Sequence, residues 1–278
     1  MSNCTKAIIP VAGWGTRWLP ITKTIEKCML PIANRPIIDY SVQDCIKAGI
    51  KEIIFVVGEE SRQLKDYYSE NVALDDYLKR NNKSDKLPLI EPPKDVEFHF
   101  VVQPSYGKYG TAVPVSIASD YVNPGESVLV VMGDDFFYNE DGSSEMARFI
   151  ENTPEGESGI LAAVLAEDND IIGRYGMIYE DENGYLERVI EHPDVLPEPF
   201  VKNVAKYILS YDMLRTVCDY VDTGVPEAAG EYYIFAPFEK RIEQGSPMKV
   251  VHAKNDFFDG GNLRSWLYAN EFVMRGKI

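Results

Sequence analysis

The chain has few of the residues that build disulfide frameworks or compact metal sites: 4 cysteines and 3 histidines among 278 residues. Cys4, Cys28, Cys45 and Cys218 lack the paired C-x-x-C spacing of a zinc site, and His99, His192 and His252 are equally scattered. A local zinc motif is therefore excluded, and the thiols are expected to be reduced, as in a cytosolic protein. Long apolar runs are also missing. Nothing approaches the ~18 residues of a membrane span, and Met1 to Lys6 has no apolar leader core, so a soluble cytoplasmic chain is expected. Positive charge is scarce: 28 Lys and Arg against 44 Asp and Glu give a formal net charge of −16. Such a surface repels nucleic acid and anionic membrane, and any polyanionic ligand must be captured by a local basic site. There is no internal repeat and no low-complexity tract.

Two familiar phosphate motifs are absent as well. The glycines of Gly13-Trp14-Gly15 stand too close together for a Walker loop, and Trp18 occupies the position where a dinucleotide fingerprint needs its third glycine. What is present is Lys6-Ala7-Ile8-Ile9-Pro10-Val11-Ala12-Gly13-Trp14-Gly15-Thr16-Arg17, followed by Lys23 and by Lys27-Cys28-Met29-Leu30-Pro31. An apolar run breaks into glycines, a hydroxyl and an arginine, with lysines in reach of the same loop. Glycine lets backbone N–H groups close on phosphate oxygens, and Arg17, Lys23 and Lys27 supply fixed positive charge, so this is a polyphosphate cradle.

With 45% apolar residues the chain can bury a large core. Strand-like runs at Lys6 to Val11, Glu52 to Val57, Phe98 to Val102 and Ser127 to Met132 alternate with helical patterns at Pro36 to Ala48 and Ser61 to Tyr68. The alternation predicts an α/β fold with a Rossmann-like, doubly wound, mostly parallel mixed sheet and ligands at the carboxyl ends of its strands. Further strands are expected at Ser158 to Leu165, Tyr175 to Tyr179, Tyr185 to Glu191 and Met248 to His252, with an Asn183-Gly184 hairpin turn. Helices are expected at Met213 to Val221, Pro237 to Glu243 and Asn262 to Arg275, and the polar span Asp75 to Pro93 reads as a surface excursion. Gly133-Asp134-Asp135 follows a strand directly, and Asp259 sits in a Phe257-Phe258-Asp259-Gly260-Gly261-Asn262 turn. Two such carboxylates can hold Mg²⁺, which prefers hard oxygen ligands and bridges phosphates.

The segments Ala12 to Lys23, Lys27 to Pro31 and Arg35-Pro36-Ile37-Ile38-Asp39-Tyr40 resemble the opening of the sugar-1-phosphate nucleotidyltransferases, and within them the UTP:glucose-1-phosphate uridylyltransferases. The resemblance is dense over the first 60 residues and continues in patches to about residue 270. It implies one nucleotidyltransferase domain over 1–278, with a nucleotide-binding half at 1–135 and a β-rich sugar-binding half with a closing helix at 136–278. It implies UTP and glucose 1-phosphate as substrates and UDP-glucose and pyrophosphate as products. Asp134 and Asp259 then match the family's metal pair, Arg17 faces the leaving pyrophosphate, and Lys27 lies near the α-phosphate. Ala12, Gly13, Gly15 and Thr16 belong to the nucleotide loop. Gln103, Gly110 and Thr111 match the family's nucleobase region, although Tyr109 stands between its glycines and Thr111 holds a position often taken by histidine.

On the sugar side, Tyr175-Gly176 and Val189-Ile190-Glu191-His192-Pro193 match the family's sugar-binding strands. His192 departs from them, because the family lysine there contacts the sugar phosphate; the missing charge is expected from His192 itself, Lys202 or Lys206. Gly230-Glu231-Tyr232-Tyr233 resembles a segment that closes the sugar pocket. A homo-oligomer is expected. Two alternatives stay open on the sequence alone: another nucleotide or sugar phosphate, such as dTTP or CTP, and a non-catalytic regulatory homologue that only binds sugar nucleotides.

Overall fold

The computed structural model describes residues 3–164, 176–191, 201–227 and 230–275. The first strand β1 (Lys6–Pro10) leads through a two-residue ladder, β2 (Pro31–Ile32) with β3 (Arg35–Pro36), into helix α1 (Ile37–Lys47). Then come β4 (Glu52–Val57), α2 (Gln63–Tyr67), α3 (Val72–Arg80), β5 (Glu97–Val102), α4 (Ala112–Ile117), β6 (Ser127–Val131), β7 (Asp135–Tyr138) and α5 (Glu145–Asn152). The remaining elements are β8 (Ser158–Val164), β9 (Met177–Glu180), β10 (Leu186–Ile190), β11 (Val201–Ser210), α6 (Tyr211–Thr223), α7 (Phe238–Glu243), β12 (Met248–His252), β13 (Asp256–Asp259) and α8 (Leu263–Arg275).

β1, β4 and β6 are β-branched runs that bury both faces, as parallel strands covered by helices on each side must, while β5 at the sheet edge is only partly buried. They lie in the order β6-β1-β4-β5, all parallel, with Ile8 opposite Ile54 and Lys6 opposite Val128. Their carboxyl ends therefore share one rim. β11 enters antiparallel beside β6, and β8, β9 and β10 extend the sheet from there, with β12 parallel to β8. The expected α/β class with a mixed, doubly wound sheet is the one observed. Ile8, Ile54, Val128 and Val130 join the core under α4 and α6; Ala7, Ile9, Phe55 and Leu129 face α1 and α5, where Phe55 stacks on Tyr68, Phe98 and Phe100 at 5.4–5.7 Å. Among the described residues no helix is long and apolar enough to cross a membrane.

Several expectations need correction. The span Asp75 to Pro93 is exposed, but it contains α3, whose Asn71 cap accepts a bond from the Leu74 N–H at 3.0 Å, and a 3₁₀ turn at Ser84–Leu89. The i,i+4 pairs Asp75–Lys79 and Asp76–Arg80 support a helix that buries only Leu78. Phe257 to Asp259 is not a turn but strand β13, paired antiparallel with β7 so that Asp259 faces Asp135. The longest strand, β11, is absent from the sequence expectation because Lys202 and Lys206 break its apolar pattern, yet they are only 6% and 1% exposed. Leu165 and Tyr175, the predicted ends of two strands, lie outside the described residues.

β13 is held in place from its base. Glu145 opens α5 and is fully buried; it accepts bonds from the Arg148 Nε at 2.7 Å, the Asn255 backbone N–H at 3.2 Å and the Asn255 side chain at 2.5 Å. Arg148 in turn donates to the His252 carbonyl at 2.6 Å. One carboxylate thus ties α5 to the turn between β12 and β13. Glu145→Ala leaves the Arg148 guanidinium without its counter-ion, and we expect a loss of about 3–5 kcal/mol in unfolding free energy, read from urea denaturation. Glu145→Gln, which keeps the shape and one acceptor, should lose less.

Candidate active site

The loop after β1 is anchored before it reaches the rim. The Val11 N–H donates to the Val56 carbonyl at 2.8 Å, continuing the β1–β4 ladder past the strand. Gly15 adopts φ 62°, and a Cβ there would lie 3.0 Å from the Thr22 methyl and 3.1 Å from the Lys27 Cβ. Its carbonyl accepts from the Thr22 hydroxyl at 2.9 Å. Gly13 differs: a Cβ there would meet nothing within 4 Å, so its bare backbone faces open space. Trp18 is buried, donates to the Gly260 carbonyl at 3.0 Å, and meets Trp266 edge to face. Arg17 is left exposed at the mouth.

Lys27 starts a 3₁₀ turn fixed by its predecessor. The Glu26 carboxylate accepts from the backbone N–H groups of Arg62 and Gln63 and from the Ser61 hydroxyl, each at 2.7 Å, so it satisfies donors at the start of α2. With its backbone held, Lys27 donates from Nζ to Asp134 Oδ2. Gly13, Gly15, Thr16, Arg17, Lys27, Thr111 and Asp134 together line a cleft of about 350 Å³ at the carboxyl ends of β1 and β6. Its floor includes Gly133, where a Cβ would sit 2.3 Å from Val11 Cγ1.

Three carboxylates and three ammonium groups meet beside this cleft. The Gly260 N–H donates to the Asp134 carbonyl at 2.9 Å, and a Cβ on Gly260 would be 2.2 Å from Ile37 Cδ1. Asp259 accepts from the Gly261 N–H at 2.5 Å. Desolvation opposes the charge on Asp134, but the Lys27 ammonium outweighs it, aided by Lys206, and holds the carboxyl below its ordinary range. Asp135 is paired with the buried Lys206. Burial nevertheless pushes it up to about 7, with the charges of Asp134 and Asp259 acting in the same direction as burial. Lys202 rests its Nζ 4.3 Å from the centre of the Phe257 ring. Burial lowers this ammonium to about 8, while Asp259 and Asp135 pull it back up.

The residues expected around the base do not all converge. Gln103 directly follows β5, is half-buried, and donates its N–H to the Val57 carbonyl at 2.8 Å, but it does not line the cleft; neither does Ala12, which lies beside Gly58. Gly110, at φ 122°, would put a Cβ 2.4 Å from both the N and O of Tyr232. The space it spares is taken by protein backbone. Tyr232 donates to the Tyr109 carbonyl and accepts from the Ala112 N–H, both at 2.9 Å, and the Thr111 hydroxyl accepts from the Ile234 N–H at 3.0 Å. The Gly230 to Tyr233 segment is thereby strapped over the loop after β5.

On the other side, Gly176 and Glu191 do come together: a Cβ on Gly176 would be 2.6 Å from Glu191 Oε1. Lys206 does not join them, being buried against Asp135. His192, with Tyr175 and Pro193, lies outside the described residues. Sequence reasoning missed the Glu26 cap, the Asp135–Lys206 pair and the Trp18 anchor. None of them has a local signal, since each partner is far along the chain.

Residues 6–276 match the profile of the family described as Nucleotidyl transferase. A UTP--glucose-1-phosphate uridylyltransferase of Streptococcus pneumoniae serotype 4 is 30% identical over 236 residues, covering 83% of this chain and 77% of that protein. One of Mycoplasma pneumoniae is 26% identical, covering 98% of this chain and 93% of its own. Among solved structures, an apo UDP-glucose pyrophosphorylase superposes with TM-score 0.84 at 22% identity, covering 99% of this chain and 100% of that one. UTP-bound UGPase from Acinetobacter baumannii gives TM-score 0.81 at 22% identity, covering 97% and 93%. A glycine-rich loop, a lysine and an aspartate around one cleft on this fold agree with a profile that spans nearly the whole sequence, and the chain belongs to the nucleotidyl transferase family.

Proposed function

We propose that this protein transfers the uridylyl group of UTP to glucose 1-phosphate, giving UDP-glucose and pyrophosphate. The observation that carries the reading is the single cleft in which the bare backbone of Gly13, the cations Arg17 and Lys27, and the carboxylate of Asp134 meet at the strand ends. The names of the relatives supply the substrates. A phosphate oxygen of glucose 1-phosphate attacks the α-phosphorus of UTP, the bond to the β-phosphate oxygen breaks, and pyrophosphate leaves. That nucleophile is already an anion, so no residue has to remove a proton. Positioning and charge neutralisation remain as the tasks of the chain.

Gly13 and Gly15 bring backbone N–H groups to the triphosphate, Arg17 takes the pyrophosphate from the mouth, and Lys27 lies at the α-phosphate. Asp134 and Asp259 fit Mg²⁺, because that ion keeps several waters and is satisfied by one or two carboxylates with substrate phosphates. When bound, it would neutralise charge on the transferring phosphates. Gly176 and Glu191 form the corner for sugar hydroxyls, and Gln103 marks the base side. Assembly into a homo-oligomer belongs to the same reading, since α8 turns Leu263, Leu267 and Tyr268 outward.

Pyrophosphate release measured over a panel of nucleotides and sugar phosphates tests the reading; release from UTP with glucose 1-phosphate above all other pairs is the expected result, and its absence refutes it. Lys27→Ala should lower turnover by about 30- to 1,000-fold, the roughly 2–4 kcal/mol of one preorganised electrostatic contact, with unchanged circular dichroism. Asp134→Asn and Asp259→Asn should each remove calorimetrically detected Mg²⁺ binding in the presence of UTP, and wild-type turnover should stop with chelator and return with Mg²⁺.

The glycines give a sharper contrast. Gly13→Val has room and an ordinary φ, so the variant should fold normally yet bind UTP about 10-fold or more weakly, because the side chain fills the approach to the backbone. Gly110→Ala, blocked by Tyr232, should instead lose about 2–4 kcal/mol of stability. Thermal midpoints and UTP titrations of both variants check the pair.

A further inference from the structure

Ala205 stands inside strand β11 with φ 52°, a left-handed conformation that is costly for a residue with a Cβ and that glycine adopts freely. The strand bulges there. Asn203 pairs with Ala162 of β8 and Tyr207 with Ile160, so β11 is longer at this point than the stretch of β8 it faces. The other edge of the strand changes neighbour at the same place: Lys206 pairs with Val131, the last residue of β6, and Lys202 with Met177, the first of β9. The bulge therefore borders the gap between Gly133-Asp134, which follow β6, and Gly176, which precedes β9.

Asn203 holds this bulge. Its side-chain Oδ1 accepts from the Ala205 N–H at 2.9 Å, an Asx turn that ties down the left-handed residue. A backbone N–H can only donate, which fixes the orientation of the amide and leaves Nδ2 on the other side, where it donates to the Tyr207 hydroxyl at 2.7 Å. Tyr207 is a rigid post: it is 1% exposed, and its ring meets Phe238 edge to face at 5.5 Å. With its side chain engaged at both ends, Asn203 donates its own backbone N–H to the Gly176 carbonyl at 2.8 Å. Glu191 lies against that same Gly176, and Lys206, directly after Ala205, is turned onto Asp135.

We infer that Asn203 is a positioning residue for the sugar 1-phosphate: its amide locks the β11 bulge and so fixes the Gly176–Glu191 corner relative to the carboxylates that follow β6. The inference rests on the uridylyl-transfer reading, which puts the sugar hydroxyls at that corner. Backbone strain of this kind persists where the surroundings hold it in place and where it aims a strand at a site. A corner that is ordered beforehand costs the incoming sugar no affinity to order. The triphosphate relies on Gly13, Arg17 and Lys27, between β1 and β2, so the effect of Asn203 falls on one substrate.

Asn203→Ala removes the amide and leaves Ala205 without its clamp. The thermal midpoint should fall by a few degrees, and the KM for glucose 1-phosphate should rise about 5- to 30-fold, the scale of re-ordering one backbone residue on binding, while the KM for UTP is unchanged. Asn203→Ala combined with Ala205→Gly separates position from stability. Glycine takes φ 52° without strain but does not hold it, so the midpoint should return toward wild type while the KM for glucose 1-phosphate stays raised. An unchanged KM for glucose 1-phosphate in Asn203→Ala would overturn the inference. So would a KM that recovers together with the midpoint in the double variant, or equal rises for both substrates, since each leaves Asn203 a purely structural residue. If Asn203→Ala does not fold, the double variant decides by itself: a raised KM for glucose 1-phosphate with an unchanged KM for UTP supports the role, and two unchanged values overturn it. Failure of wild type to use UTP with glucose 1-phosphate refutes the functional reading itself, whereas an active wild type matched by its Asn203 variants refutes only the positioning role.

Discussion

The cleft depends on the hydrogen bond from the Gly260 N–H to the Asp134 carbonyl. It extends the β7–β13 ladder past Asp135 and Asp259, tying the turn after β6 to the end of β13 at the rim. Glycine is required on both sides of the contact: Gly133 is pressed against Val11, and Gly260 against Ile37 and Asp134. The Gly260 carbonyl then accepts from Trp18, so the phosphate loop is tied to the same point. Beneath it, Phe136 stacks on Phe258 at 5.4 Å, and α8 packs Ala269 and Val273 on the pair. Because strands β7 and β13 are short, their pairing alone is weak; the aromatic layer and the buried Glu145 network supply the stiffness.

That stiffness matters because the charges beside the cleft are costly to hold. An ammonium taken out of water loses several kcal/mol of hydration unless a partner returns it. Lys27 and Lys206 are set against Asp134 and Asp135, and Lys202 is set on an aromatic ring within the field of Asp259 and the same Asp135. The rest of this acidic chain repels a polyanion, so these few cations carry the attraction. Their water is already gone and their backbones are fixed. Little reorganisation is then left for the moment when charge moves between phosphates, which is the condition under which electrostatic stabilisation is largest.

The sequence made some of this visible and hid the rest for a physical reason. β1 and β4 were legible because an unbroken β-branched run has one stable solution, a strand buried on both faces. β11 was hidden because Lys202 and Lys206 read as solvent-facing, and their burial makes sense only with Asp135, Asp259 and Phe257 supplied from elsewhere. β13 was hidden because four residues become a strand only when β7 is there to pair with them. α3 was hidden by the reverse problem, a helix with a cap and charge pairs that buries only Leu78.

The glycines set the limit of such reading most clearly. Gly13 and Gly110 stand in loops that follow parallel strands, and each looks like a place where a ligand meets backbone. At Gly13 the missing Cβ points into open space, and the protein itself gains nothing from its absence. At Gly110 it points into the backbone of Tyr232, a segment that arrives from far along the chain and uses Thr111 as a further anchor. A local motif states that backbone must be approached closely, but not by what. Only the direction of the missing Cβ separates a binding surface from a folding contact, and that direction is fixed by long-range packing rather than by the motif.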